Sequence, residues 1–569
     1  MEYSYILSVV PEERLLGVEI RVRDWEKAEL ALKMPVWTPG SYLVREYSRL
    51  VQGFRVMDGD GRSLPWHKVS KNEWRIGQAQ VPLVIINYLV FANDLSVRTN
   101  HVDLTHAYCN GAATFMYIPG YDRQQTTLQI ILPRSDWRVA TALPSLGENV
   151  YGVADYHTLV DSPIEIGQHT RADFLAGGIP HHFVVWGEGK YNLGQIVTDT
   201  SKIIATTWEL WGEVPYADYW FLLHLATTGN GGLEHKNCCS LNYSPLSLQG
   251  EGYYKFMNLV AHEYFHTWNV TRLRPREFLH LNYDGENYTT LLWFAEGVTS
   301  YYDQLIPLRA GIYDRQYFYK AIGDSITRYQ NTPGRWEQTL AEASFDTWIK
   351  LYRPDANSQN VQVSYYLKGE LVAMLLDLQL RGYYGHSLDE VLRLAWAEYK
   401  GRGYTEADIF YIVERLADAN LVQWLRLAVH SFMDLDFNYG FAPFGLEVVP
   451  VSSPLPYLGL TVKEVNGRPI VQYVAAKSPA QRAGINPGDE LVAIDGFRVT
   501  DVNERLRQYN PGDTVMITVF QRDYLRNCFV QLETAPPDRY NLVPVSNPTP
   551  EQVKNLAEWL KPSPSPHQC

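Results

Sequence analysis

Val260-Ala261-His262-Glu263-Tyr264-Phe265-His266-Thr267-Trp268-Asn269 is the stretch that decides how the rest of the chain reads. It follows the amphipathic run Tyr253-Tyr254-Lys255-Phe256-Met257-Asn258-Leu259, and the spacing predicts a helix. On a helix, residues four apart share a face, so His262 and His266 can present both imidazoles to one metal ion. Imidazole nitrogen suits zinc, and a catalytic zinc needs a third protein ligand with one position left open for water. Glu263, next to the first histidine, then stands where it can take a proton from a water attacking a carbonyl. The plainer alternative is an ordinary amphipathic helix carrying two half-buried histidines.

A third ligand has to come from another element. Leu292-Trp293-Phe294-Ala295-Glu296-Gly297-Val298 offers Glu296 among apolar neighbours, where a carboxylate is costly to bury unless it is paired or bound to metal. Asn269 and Asp303 are candidates for holding the far nitrogens of the imidazoles, which usually donate to a carbonyl or carboxylate. The His-Glu-x-x-His motif followed by Trp293-Phe294-Ala295-Glu296-Gly297 resembles the gluzincin metallopeptidases, and within them the PDZ-bearing glycyl aminopeptidase family. That resemblance implies one zinc ion per chain on His262, His266 and Glu296, with Glu263 as general base.

Two further segments are similar to the related aminopeptidase N and leukotriene hydrolase group. Gly231-Gly232-Leu233-Glu234-His235 resembles its Gly-x-Met-Glu-Asn segment, with Leu233 and His235 as departures. The backbone of Gly231 and Gly232 would then line the substrate, and Glu234 would hold the free α-amine, limiting cleavage to the first residue. Tyr366-Leu367-Lys368-Gly369 resembles the Tyr-x-Lys-Gly segment whose phenol stabilises the oxyanion, and Tyr365 next door leaves the register open. The basic run Arg272-Leu273-Arg274-Pro275-Arg276 can grip a peptide carboxylate or make ion pairs.

The chain has 569 residues, 46% of them apolar, which suggests three or four domains. Short alternating runs such as Gly17-Val18-Glu19-Ile20-Arg21-Val22-Arg23 predict an antiparallel β-sandwich over residues 1–170. From 171 to 445, strand signals give way to helical spacing at 193–211, 288–305, 364–380, 388–399, 405–417 and 422–433, an α+β catalytic domain that the resemblance makes thermolysin-like. The prolines and paired serines of 438–454 read as a linker. Residues 446–540 are similar to a PDZ domain through Leu458-Gly459-Leu460 and the run from Ser478 to Gly496, where a C-terminal peptide would bind by its carboxylate and an open strand edge. The tail, 541–569, carries one possible helix at 551–560 and then Lys561-Pro562-Ser563-Pro564-Ser565-Pro566, expected to be disordered.

A net charge of −13 argues against nucleic acid or an anionic membrane as partner. The opening residues lack a basic n-region, no apolar run is long enough to span a bilayer, and the five scattered cysteines suggest no disulfide framework, so the cytoplasm is the expected compartment. The whole predicts a zinc aminopeptidase acting on peptides with a free N-terminus, and the family resemblance implies small first residues such as glycine or alanine. A zinc endopeptidase of the same fold, or a PDZ-bearing adaptor with an inactive peptidase domain, are the rivals.

Overall fold

Strict alternation in Glu2–Val10, Leu15–Arg23 and Leu83–Phe91 sends every second side chain into one core, and the three strands lie side by side in a seven-stranded sheet. The computed structural model describes residues 1–562. Its N-terminal sheet is packed on a three-stranded sheet (Leu30–Lys33, Glu73–Ile76, Trp66–Ser70) and a four-stranded one containing His106–Cys109 and Ile164–Gly167. The sheet is not wholly antiparallel as expected, because Glu2–Val10 pairs in parallel with Thr126–Ile131. More than a hundred residues separate those strands, which gives room for the crossover that a parallel pair requires.

The sheet that follows in the chain has five strands, with Thr170–Ala176 at one edge and Gly231–Glu234 at the other. Its centre, Tyr219–Leu225, is buried on both faces and pairs in parallel with both neighbours, which is why it reads as a continuous apolar run. The helix Glu251–Phe265 packs under the Gly231–Glu234 edge. Beyond it the predicted helices appear, among them Tyr365–Gln379, Leu388–Tyr399, Glu406–Leu416 and Ala419–His430. The sequence reading missed Arg315–Gln330.

Residues 438–454 are not a linker. They carry part of the short helix Phe437–Phe441 and the strand Leu446–Ser452, which pairs along its length with Pro537–Pro544. Pro450 is tolerated in the strand because this is a two-stranded ribbon with open edges, while Pro443 lies in the turn before it and Pro454 after it. Between its strands sits the PDZ module, a separate core of residues such as Leu458, Val471, Ile494 and Val515. After the ribbon, the helix Pro550–Trp559 returns to the catalytic domain. Trp559 is fully buried against Phe318, Phe441 and Phe444, and its Nε1 donates to Tyr301 Oη at 2.8 Å. Most of the tail expected to be disordered, from residue 563 on, lies outside the described residues. No helix among the described residues is long and apolar enough to cross a membrane.

Candidate active site

His262 lies in the last turn of the Glu251–Phe265 helix and His266 caps it. The other nitrogen of each ring is fixed. His262 Nδ1 is 2.8 Å from Asp303 Oδ2, and His266 Nδ1 is 2.7 Å from the Asn269 carbonyl oxygen. Both Nε2 atoms therefore face Glu296, at 3.5 and 3.1 Å from its Oε2. Glu296 sits in a π-helical turn, Trp293–Gly297, that opens the Val298–Arg309 helix. Single π-turns of this kind are frequent at functional sites. Asn269 Nδ2 donates to the carbonyls of Phe294 and Ala295 at 3.0 Å each, tying the segment after His266 to the one that carries Glu296.

The glycine after each of two motifs has a packing reason. A Cβ on Gly297 would lie 2.4 Å from Gly369 Cα, so these two glycines let the Glu296 segment and the Tyr365–Gln379 helix touch backbone to backbone. That contact carries Tyr366 into the cleft. Its ring lies 6.3 Å from that of His262, and its hydroxyl is 3.2 Å from Tyr352 Oη. Tyr365 points into the core instead, where its hydroxyl accepts from Thr347 Oγ1. Gly232 and Glu234 share one face of the edge strand. A Cβ on Gly232 would lie 2.1 Å from Glu263 Oε1, and one on Gly40 would lie 2.5 Å from Glu234 Oε2, so the Pro39-Gly40 loop of the N-terminal domain closes the far side. The cleft of about 560 Å³ is thus lined by Gly231, Gly232, Glu234, Glu263 and the His262–His266–Glu296 cluster, with Tyr352 and Tyr366 opposite.

Four carboxylates, those of Glu234, Glu263, Glu296 and Asp303, share this space with two imidazoles. Burial lifts Glu263 to about 7 and also raises Glu234. Burial acts on Glu296 in the same direction, yet His266 and His262 hold it down to about 2. Asp303 and Glu296 in turn lift His262 well above its ordinary value against burial, and Glu296 takes His266 to about 9. Glu263 Oε2 is buried with no partner. Two neutral-capable imidazole nitrogens and one carboxylate oxygen converging at an excess of negative charge, beside an orphaned acceptor, fit a zinc ion.

Other expectations fare differently. Arg272 donates to the carbonyls of Thr267, Lys236 and Pro215, and Arg274 to those of Thr271 and Phe278, so neither guanidinium is free for a substrate carboxylate. In the PDZ module Leu458 is a core residue, Gly459 packs on Ser478, and Leu460 opens an edge strand, Leu460–Val465. All three line a cavity of about 590 Å³ whose opposite wall, Trp336 and Asn360, belongs to the catalytic domain. Asn360 fastens the two, donating to the Val474 carbonyl and accepting from Ala476 N–H and Tyr473 Oη–H. Gly40, Arg98 and Tyr352 escaped the sequence reading, for they come from loops that have no motif of their own.

Residues 4–168 match the model of the peptidase M61 N-terminal domain, 255–372 that of the M61 glycyl aminopeptidase, and 456–532 that of the PDZ domain. The solved structure of an aminopeptidase N family protein from Idiomarina loihiensis superposes with a TM-score of 0.93 at 30% identity, over 98% of this chain and 100% of that one. An M1 zinc metallopeptidase from Deinococcus radiodurans overlaps 77% of this chain and 95% of its own, at 14% identity and a TM-score of 0.49. Among curated proteins, a probable periplasmic serine endoprotease DegP-like from Bartonella henselae is 30% identical over 97 residues, 16% of this chain and only 19% of that protein. Both the N-terminal and the catalytic models name one family and the Idiomarina structure overlaps end to end, so the chain belongs to the M61 glycyl aminopeptidase family and is a zinc metallopeptidase.

Proposed function

We propose that this zinc aminopeptidase releases a small first residue, glycine or alanine, from peptides with a free α-amine, with one metal ion per chain held by His262, His266 and Glu296. The observation that carries the reading is Glu234: a buried carboxylate on the sheet-edge strand, in the same cleft as the ligand cluster, suited to hold an ammonium. When bound, zinc supplies Lewis-acid polarisation of the scissile carbonyl and of the attacking water. Glu263 takes that water's proton and passes it to the leaving amine, a task its burial suits by raising its basicity. Tyr366 donates to the developing oxyanion from the opposite wall, and the backbone of Gly231 and Gly232 lines the extended substrate. The Leu458-Gly459-Leu460 loop receives the C-terminus of a peptide ligand.

The test is hydrolysis of aminoacyl reporter amides and their N-acetylated counterparts by the wild type and by Glu263→Gln, with metal content measured on the same samples. Free-amine glycyl and alanyl substrates should be turned over and acetylated ones should not, and Glu263→Gln should keep its metal while losing about 10²–10⁴ in rate. Equal cleavage of acetylated substrates would discard the aminopeptidase assignment.

A further inference from the structure

We infer that Arg98 anchors the C-terminal carboxylate of the substrate, which makes di- and tripeptides with both termini free the preferred class; the inference rests on the reading of Glu234 as the ammonium anchor. Arg98 enters the cleft from the N-terminal domain, on the loop before the His101–Val102 strand. Its backbone is pinned on both sides. The carbonyl accepts from Tyr47 Oη–H at 2.8 Å, and the N–H donates to Ser96 Oγ at 3.2 Å. From there Nη2 donates to the Gly232 carbonyl at 3.2 Å, and the guanidinium lies 3.8–3.9 Å from where a Cβ on Gly231 would stand.

This arginine is unpaired. Every ion pair among the described residues leaves it out, although four carboxylates line the same cleft, and its Nε is buried without a partner. A guanidinium has five donors in a rigid fork matched to a carboxylate, and a single backbone carbonyl uses few of them. The protein's own acids cluster about the metal ligands, so what is left for Arg98 is an anion brought by the substrate.

The spacing selects the length of that substrate. Gly232 and Gly231 precede Glu234 by two and three positions on an edge strand whose outer side is unpaired in the sheet. At about 3.3 Å per residue the guanidinium stands roughly 7–10 Å along the strand from Glu234. A peptide extended along this edge, ammonium at Glu234, spends its carboxylate beside Arg98 after two or three residues, since an extended chain covers about 3.3–3.6 Å per residue. A longer peptide runs past with an uncharged amide at that point. Lys255, exposed on the motif helix, is the other lysine or arginine lining the cleft and serves as the internal control.

The experiment compares alanyl-alanine, alanyl-alaninamide and alanyl-p-nitroanilide on the wild type, Arg98→Met, Arg98→Lys and Lys255→Met. The wild type should favour the free acid over the amide by about ten- to a hundredfold in kcat/KM, carried mainly by KM. Arg98→Met should bring that ratio near one and Arg98→Lys should keep part of it, with the p-nitroanilide dividing out any loss common to all substrates. The inference is overturned if the wild type treats acid and amide alike, if Arg98→Met lowers all three substrates together with the ratio intact, or if the ratio is lost in Lys255→Met instead. An Arg98→Met that does not fold leaves the wild-type ratio and Arg98→Lys to decide. Failure of the underlying reading looks different: no free-amine substrate is turned over, or N-acetylated alanyl-alanine is cleaved as well as the free form.

Discussion

Replacing Gly232 by alanine would drive a methyl group onto Glu263 Oε1, at 2.1 Å before any adjustment. Glu263 has to turn away, whereas His262, His266 and Glu296, the ligands proposed above, do not. With Glu263 as the proposed general base, we expect Gly232→Ala to lose about 10²-fold or more in kcat, with metal content unchanged by elemental analysis. The paired tyrosines separate in the same manner. If Tyr366 is the oxyanion donor proposed above, Tyr366→Phe should cost about 10²–10³ in kcat with little change in KM, whereas Tyr365→Phe should show in thermal stability and not in turnover. At this scale the sequence was informative where chemistry is local: His262, Glu263 and His266 lie within one helical turn, and Glu296 stands out because its flanks are apolar. Arg98, Gly40 and Tyr352 are brought to the cleft by tertiary packing alone. An arginine between a valine and a threonine carries no signal of where its guanidinium will end.

Among the elements, the crossing at Gly297 and Gly369 shows why each is a glycine: a side chain on either would push the two backbones apart. The missed helix Arg315–Gln330 is the converse case. Its buried positions, Phe318, Ile322, Ile326 and Tyr329, do follow a helical period, but Gly323 and many polar residues dilute it. Gly323 is there because the returning strand presses on it, with Tyr540 O 2.8 Å from where a Cβ would stand. A second junction ties strands of two domains: Glu165 lies 3.0 Å from His106 Nδ1 and 3.0 Å from His224 Nε2, fully buried. Burial would raise this carboxyl, but the imidazoles hold it down to about 2. Because the folded state favours the ionised form, the stabilisation is complete above the free carboxyl's 4.5 and is lost as pH falls toward 2. Glu165→Gln should thus lower the urea midpoint at pH 7, by about 1–3 kcal/mol in stability, and the gap from wild type should narrow below pH 4.5.

At the level of the whole molecule, the C-terminal helix closes the catalytic domain. Trp559, contributed from beyond the PDZ module, fills a space between Phe318, Phe441 and Phe444. Trp559→Ala should cost about 3–5 kcal/mol in chemical denaturation while leaving kcat/KM of the folded enzyme within about twofold, since Trp559 lies outside the cleft. The order of domains was readable from composition shifts and the PDZ glycine pattern. Their interlacing was not, because Leu446–Ser452, flanked and interrupted by prolines, looks like a connector until its partner, some ninety residues later, is known.

That ribbon has a practical corollary. Its register closes with Ser452 opposite Pro537, so everything between them leaves and re-enters the enzyme through one doorway a single strand spacing wide. A different globular cargo with neighbouring termini, spliced in at 453–536, should be carried by an enzyme that still turns over its reporter amide, and the position is therefore a grafting port for fusion design.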